Sequence, residues 1–377
     1  MRVAFYAPLK PPDHPTPSGD RRMARLLIAA LRAAGHRVDV ASRFRAYDRI
    51  GDPLRQRRLA AQGARLAGRL IQRYRAVPPE RRPQVWFTYH LYHKAPDWLG
   101  PAVAVGLGIP YVVAEASHAP KRRDGPWAQG YAAAAAAIGA ADAVIGFNPL
   151  DAVCLAPLLK QDCRSVGLRP LLDGSVFAAA AADRDGHRSR LAARLAVPVG
   201  EPWLLTVAML RPDKLDSFRV LGAALARLAN RPWRLLVAGN GSAAAEARAT
   251  LAPLGQRVTW LGQVAAADLP AVYAAADAMA WPAVREAYGM ALLEAQAAGL
   301  PVVAGDTGGV GQIVRHGVTG LLTPVGDAVA FAHALASVLY DAVLRQRMGA
   351  QAARLTATEN DMATAAHRLD AVLAALR

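Results

Sequence analysis

The sequence predicts an α/β protein of two doubly wound domains, each built on a mostly parallel sheet. Three observations predict it. The chain has 377 residues, which at about 100–200 residues per domain suggests two. Short β-rich runs alternate with helical stretches in both halves, the pattern of parallel strands joined by crossover helices. Glycines and charged residues cluster just after the strands, and open α/β sheets bind ligands outside the carboxyl ends of their strands. Two such sheets facing each other would form a cleft.

The elements follow in order. Val3–Ala7 reads as a buried first strand. Asp20 to Ala34 has helical periodicity through Met23, Leu26, Leu27, Ala30 and Leu31, and stops at Gly35, a natural residue just past a helix end. Val38–Ala41, Val85–Tyr89, Tyr111–Ala114 and Ala143–Phe147 are the further strands of the first half. In the second half Trp203–Ala208, Arg234–Ala238, Val258–Leu261, Ala278–Trp281, Pro301–Ala304 and Gly320–Leu322 read as strands, with helices over Gly289–Ala298 and Asp327–Tyr340. The joint is expected around residues 170–200, where Asp173-Gly174, the polar run Asp183–Arg190, Pro198 and Gly200 cluster. This gives domains over 1–172 and 173–360, and a last helical run over 361–377 that crosses back to brace the first domain.

Composition narrows the class. Hydrophobic residues are 53% and charged residues 20%, ordinary for a folded soluble chain. Cys154 and Cys163 are the two cysteines, too few for a disulfide framework or metal cluster, and they fit a reducing cytoplasm. The N-terminus is too short in apolar length for a secretory leader, and no run of about 18 uncharged apolar residues predicts a spanning helix. Residues 1–170 hold 26 Lys and Arg against 12 Asp and Glu, and the remainder 19 against 17, so the first half carries +14 of the +16 net charge. That polarity suits an anionic partner.

The most informative segment runs from Trp281 to Gly311. Glu286 falls in a loop after a strand, and Glu294 lies eight residues on inside the following helix. Gly289 would let a ligand approach the backbone, and the helix start offers N–H groups to a phosphate. Carboxylates there can accept hydrogen bonds from sugar hydroxyls. A helix-capping carboxylate plus a surface glutamate is the plain reading of the spacing alone.

The surrounding residues favour the ligand-binding reading. Glu286, then Tyr288-Gly289, then Leu293-Glu294-Ala295, then Ala298-Gly299-Leu300-Pro301-Val302-Val303, with Thr307-Gly308-Gly309 and Gly317-Val318-Thr319-Gly320 beyond, resembles the E-x7-E donor-binding motif of retaining GT-B glycosyltransferases, especially glycosyltransferase family 4. The resemblance covers most of the second half, including Leu204–Lys214 and the turn Gly239-Asn240-Gly241, and is weaker in the first. It implies the GT-B fold, two Rossmann-like domains facing across a cleft, and transfer of a sugar from a UDP- or GDP-linked donor without a metal or other cofactor.

By that resemblance Glu294 would bind the ribose hydroxyls and Glu286 the transferred sugar. The backbone near Tyr288, Gly289 and Met290, with Gly239 and Gly241, would help hold the donor. Arg211 and Lys214 would neutralise the departing pyrophosphate. Gly19 would let the first loop approach the donor phosphate or acceptor, and His118 would stand near the reacting sugar. One departure is Met209, where the family pattern has arginine; either Arg211 reaches the phosphates from a shifted position or Lys214 acts largely alone. A solvated turn arginine, an ordinary loop glycine and a bland loop histidine are the plain alternatives for Arg211, Gly19 and His118. His90, His93 and Lys94 follow a strand and are candidate acceptor contacts. Asp183-Arg184-Asp185 matches an Asp-x-Asp metal string but sits in the expected linker, so it reads as a solvated turn.

Seven arginines lie between Arg55 and Arg75, with Leu59, Leu66, Leu70 and Tyr74 stepping beside Arg58, Arg65, Arg69 and Arg73. This is a basic amphipathic helix, suited either to an anionic membrane face or to packing on its own domain with its arginines in water. Its charge points to a hydroxyl acceptor presented at a membrane, such as a lipid-linked glycan in envelope or polysaccharide assembly, with the protein peripheral on the inner face of the cytoplasmic membrane. No zinc-finger spacing or aromatic RNA-binding motif supports nucleic acid. A same-fold sugar-nucleotide epimerase and a catalytically silent sugar-nucleotide-binding protein are the rival readings.

Overall fold

A computed structural model describes every residue except Pro17, Ala287 and Arg377. The chain divides into two compact units, Met1–Leu171 with Met362–Arg377, and Leu172–Asp361. Among the described residues each unit holds one six-stranded sheet, and every strand pair in both is parallel.

In the first unit the strands are β1 (Arg2–Tyr6), β2 (Arg37–Ser42), β3 (Val85–Leu91), β4 (Tyr111–Ala116), β5 (Ala143–Gly146) and β6 (Arg164–Gly167), in the order β2-β1-β3-β4-β5-β6. Val3, Ala4, Phe5 and Tyr6 are all buried, as a strand covered by helices on both faces requires. The helix α1 (Gly19–Ala33) starts where the Ser18 hydroxyl accepts the Arg21 N–H at 3.2 Å. It buries Met23, Leu27 and Leu31, and ends before Gly35, which takes φ +82°. The last helix, Met362–Ala374, packs on α1 in this unit and buries Leu369 and Leu373. Arg368 donates to the Gly167 carbonyl at 3.1 Å. Arg377, the end of the expected last helical run, lies outside the described residues.

In the second unit the strands are β7 (Trp203–Val207), β8 (Arg234–Ala238), β9 (Val258–Gly262), β10 (Ala278–Trp281), β11 (Val302–Gly305) and β12 (Gly320–Thr323), in the order β12-β11-β10-β7-β8-β9. Both sheets reverse direction once. The chain leaves β1 for β2 and returns to lay β3 on the other side of β1; likewise β10 lies on the side of β7 opposite β8. A crevice opens at the carboxyl ends of the strands where the order reverses, so the loops after β1 and β3, and after β7 and β10, are the places to look.

The structure corrects one expectation, adds one strand, and decides the packing of the basic helix. The stretch 170–200 is not mainly a linker, because Ser175–Ala182 and Arg184–Leu195 are helices. Asp183 is an exposed turn residue between the two helices, as expected, while Arg184 and Asp185 open the second helix. The polar run is held by Asp277: Arg184 and Arg188 reach its carboxylate at 2.6 and 2.9 Å, and the Trp203 N–H donates to it at 2.7 Å. The partner is some ninety residues away in sequence, so the run looked solvated. β6 was missed, because as an edge strand its Arg164, Ser165 and Gly167 are exposed and show no apolar run. The basic helix α2 (Pro53–Arg75) forms, but Leu70 is buried and Leu66, Ile71 and Tyr74 pack into the first unit's core against the helix α3 (Gly100–Leu107). Its apolar stripe is thus unavailable to a bilayer, while the seven arginines stay exposed.

Candidate functional site

In the second unit the loops after β7 and β10 meet. Lys214 ends the short turn Pro212–Lys214 after β7 and is 9% exposed. Its ammonium donates to Glu286 Oε2 at 2.8 Å and to the Arg285 carbonyl at 2.9 Å. Trp281, the last residue of β10, donates its indole N–H to the same Glu286 Oε2 at 3.1 Å. The loop is tied further by the Val284 N–H, which donates to Ser217 Oγ at 3.0 Å.

Gly289 takes φ +79°, a conformation costly for any residue with a Cβ, and opens the helix Met290–Ala297 without a side-chain cap. Met290 and Tyr288 are partly buried against the core. Glu294 lies inside the helix, 4% exposed, where the Tyr273 hydroxyl donates to its Oε2 at 2.9 Å. The two glutamates therefore have separate roles in the packing: Glu286 is ion-paired at the loop, Glu294 is buried beside a tyrosine.

Gly239, after β8, is fixed by close approach. A Cβ there would stand 1.8 Å from the Ala208 carbonyl oxygen, and one on Gly241 would stand 2.2 Å from that of Leu210. The Leu210 N–H donates to the Asn240 carbonyl at 3.0 Å, so the turn after β8 braces the loop after β7 that carries Lys214. Arg211 does not join the Lys214–Glu286 pair. It is half-exposed and sits 3.1 Å from Asp213, while Met209 is exposed.

The first unit has its own cluster at the strand reversal. His90, in β3, lies 3.2 Å from Asp20 at the start of α1 and 3.8 Å from Glu115 in β4. His90 and Glu115 both hold positive φ, +60° and +57°, each costing about 1–3 kcal/mol of backbone strain. Burial alone would lower the His90 pKa, but Glu115 and Asp20 carry it to about 9. Gly19 has open space where a Cβ would sit.

His118 lies just past β4. It is buried, stacked on Tyr131 at 4.4 Å, and neither ring nitrogen has a hydrogen-bond partner among the described residues. Burial, then Arg123, holds its pKa down. His93 packs edge-on against Trp127 at 5.7 Å, and its buried Nε2 is likewise without a partner. Burial, Arg122 and Lys94 depress its pKa to about 4. The Lys94 ammonium stands 4.3 Å from the Trp127 ring centre. Trp127 precedes the helix α4 (Ala128–Ala140) and Tyr131 lies one turn on, so the two neutral imidazoles lie against one helix face.

Residues 201–341 match the family model described as Glycosyl transferases group 1. That segment, within the second unit, is what the chain shares with the group 1 glycosyl transferases. A D-inositol 3-phosphate glycosyltransferase of Nocardia farcinica is 35% identical over 202 residues, covering 51% of this chain and 45% of that protein. The chain thus spans less than half the length of the curated relative it matches. Over whole chains, sucrose-phosphate synthase from Thermosynechococcus elongatus superposes with TM-score 0.74 at 22% identity, covering 100% of this chain and 99% of that one. HepE of Anabaena in complex with UDP superposes with TM-score 0.76 at 17% identity, covering 100% of both. The chain has the GT-B fold of two Rossmann-like units.

The sequence reading named Lys214, Glu286 and Glu294 but gave no role to Trp281, Tyr273 or Asp277. Trp281 and Tyr273 are apolar-looking positions in a strand and a helix, and their polar atoms find the glutamates only after folding. Among the described residues no three His, Cys, Asp or Glu side chains group to hold a metal ion.

Proposed function

We propose that the chain is a retaining glycosyltransferase of family 4 type, moving a hexose from a UDP- or GDP-linked sugar to a hydroxyl acceptor. The observation that carries this is the Lys214–Glu286 pair at the reversal point of the second sheet, followed at once by a helix containing the buried Glu294. Glu286 accepts hydroxyls of the transferred sugar, Glu294 accepts the ribose hydroxyls, and the backbone at Gly289 and Met290 takes phosphate oxygens. The acceptor oxygen bonds to the anomeric carbon on the face the phosphate leaves, the carbon–phosphate-oxygen bond breaks, and a departing phosphate oxygen takes the acceptor proton. Lys214 then faces growing negative charge, a contact of a kind worth about 2.7–4 kcal/mol in the transition state. Arg211 contributes if it exchanges Asp213 for a phosphate.

The acceptor in this reading binds the first unit, at His118 and His93. Neutral imidazoles with unsatisfied nitrogens suit hydroxyls, and Lys94, Arg122 and Arg123 beside them suit an anionic group. A phosphorylated polyol or sugar has both, and the relative from Nocardia is named for inositol 3-phosphate. The exposed arginines of α2 support a second acceptor source, a lipid-linked glycan at an anionic membrane on the cytoplasmic side. Because the apolar stripe of α2 is packed, such binding is electrostatic and falls with salt. Absence of flotation with anionic liposomes at low salt removes it.

The test is thermal stabilisation by UDP, GDP, ADP and their sugar conjugates, repeated with Glu294→Ala. A ligand at 100 times its dissociation constant adds about 2.7 kcal/mol. A shift for one nucleotide that shrinks in the variant supports the donor site, and product anomeric configuration by NMR tests retention. Donor binding without turnover on any acceptor supports the catalytically silent reading, which Met209 and the engaged Arg211 favour. No shift with any nucleotide refutes the donor site.

A further inference from the structure

Trp281 makes a contact that its position does not require. As the last residue of β10 it is 2% exposed and packs edge-on against Phe218 at 5.4 Å, which an aliphatic or phenyl side chain could also do. Its indole N–H instead donates to Glu286 Oε2 at 3.1 Å, across five residues of a loop. Lys214 donates to that same oxygen at 2.8 Å. Among the described residues Oε1 of Glu286 accepts no hydrogen bond. One bond would leave the carboxylate able to rotate about it. Two donors from different elements, one charged and one on a rigid ring set in the core, fix both position and plane.

We infer that Trp281 is a positioning residue, whose indole N–H orients Glu286 so that Oε1 is presented to a hydroxyl of the donor's sugar. This rests on the reading of Glu286 as the sugar ligand. It predicts an effect on recognition of the sugar and none on recognition of the nucleotide, because Glu294 and Tyr273 lie elsewhere in the unit and keep their own bond.

Two substitutions separate positioning from packing. Trp281→Phe keeps most of the apolar bulk against Phe218 and removes the N–H. Trp281→His removes the benzo ring, yet its five-membered ring places Nε2 where the indole nitrogen was. At pH 8 the imidazole is largely neutral and can donate from that nitrogen. Thermal stability should therefore rank Phe above His, while sugar recognition should rank His above Phe.

The readouts are the dissociation constants of the bare nucleoside diphosphate and of its sugar conjugate, with KM and kcat for transfer. For Trp281→Phe the bare nucleotide should bind within about twofold of the parent, while affinity for the conjugate and kcat/KM fall about tenfold, the loss of a hydrogen bond to a charged group. Trp281→His should stay within about threefold of the parent on both. If the Phe variant keeps its preference for the conjugate over the bare nucleotide, the inference is wrong. It is also wrong if both variants lose activity in the order of their stability. If the parent protein binds the nucleotide and its conjugate equally, the reading of Glu286 as sugar ligand fails first and takes this inference with it.

Discussion

Replacing Lys214 by methionine tests the centre of the site. Methionine keeps a similar unbranched length but no charge, leaving the Glu286 carboxylate with the Trp281 N–H as its one remaining donor among the described residues. Lys214 and Glu286 have side chains 11% and 18% exposed, so the pair lies between two regimes. Exposed pairs contribute about 0–1 kcal/mol, and breaking a fully buried pair costs about 3–5 kcal/mol. Some solvent reaches Glu286, so the expected loss is about 1–3 kcal/mol. For units of this size that is about 2–4 °C in melting temperature per kcal/mol, readable by calorimetry or urea unfolding. The double variant Lys214→Met, Glu286→Gln removes both charges and should recover most of the stability, since the amide can still accept from Trp281. Neither variant should recover full nucleotide-sugar turnover, because the Lys214 charge no longer faces the leaving diphosphate. If Lys214→Met is as stable as the parent, or the double variant is no more stable than the single one, the pairing of Lys214 with Glu286 does not stabilise the unit. Full turnover by the double variant would refute the catalytic roles.

Gly239→Ala places a Cβ 1.8 Å from the Ala208 carbonyl at φ +147°, so it should cost about 2–4 kcal/mol and loosen the Lys214 loop, measured by urea unfolding and nucleotide affinity. Asp277→Ala removes the carboxylate shared by Arg184, Arg188 and the Trp203 N–H, leaves the arginines their backbone-carbonyl acceptors, and should destabilise the second unit by about 2–4 kcal/mol; a loss under about 1 kcal/mol would show that the helix Arg184–Leu195 does not depend on it. His90 has a folded pKa of about 9 against an ordinary 6.5, so its charge stabilises the first unit fully below 6.5 and the contribution fades as pH rises through 9, by at most about 3 kcal/mol. His90→Asn tolerates the left-handed backbone but cannot titrate, and should flatten unfolding free energy between pH 6 and 10; an unchanged slope would assign the pH dependence elsewhere.

Legibility in the sequence followed the range of the interactions. The strands β8 and β10 were legible at their observed bounds, Arg234–Ala238 and Ala278–Trp281, because parallel strands covered on both faces read as short apolar runs. α1 was legible from its 3.6-residue stripe and the Gly35 stop. The segment from Glu286 to Glu294 stood out because its loop and helix are contiguous in sequence. β6 was not legible, since an edge strand needs no apolar alternation. The helix Arg184–Leu195 was not either, since two of its arginines are paired with one aspartate far along the chain.

The sequence by itself determined the α/β class, the repetition of the βαβ plan in two halves, and the residue types of the donor-site candidate. These depend on periodicity and on neighbours within a few residues. Only the tertiary structure decided that Lys214, Trp281 and Glu286 converge on one carboxylate oxygen, that Arg211 pairs with Asp213, and that the apolar stripe of α2 is packed against α3. Each joins groups on separate elements, and local pattern carries no information about which distant partner satisfies a buried charge or covers an apolar face.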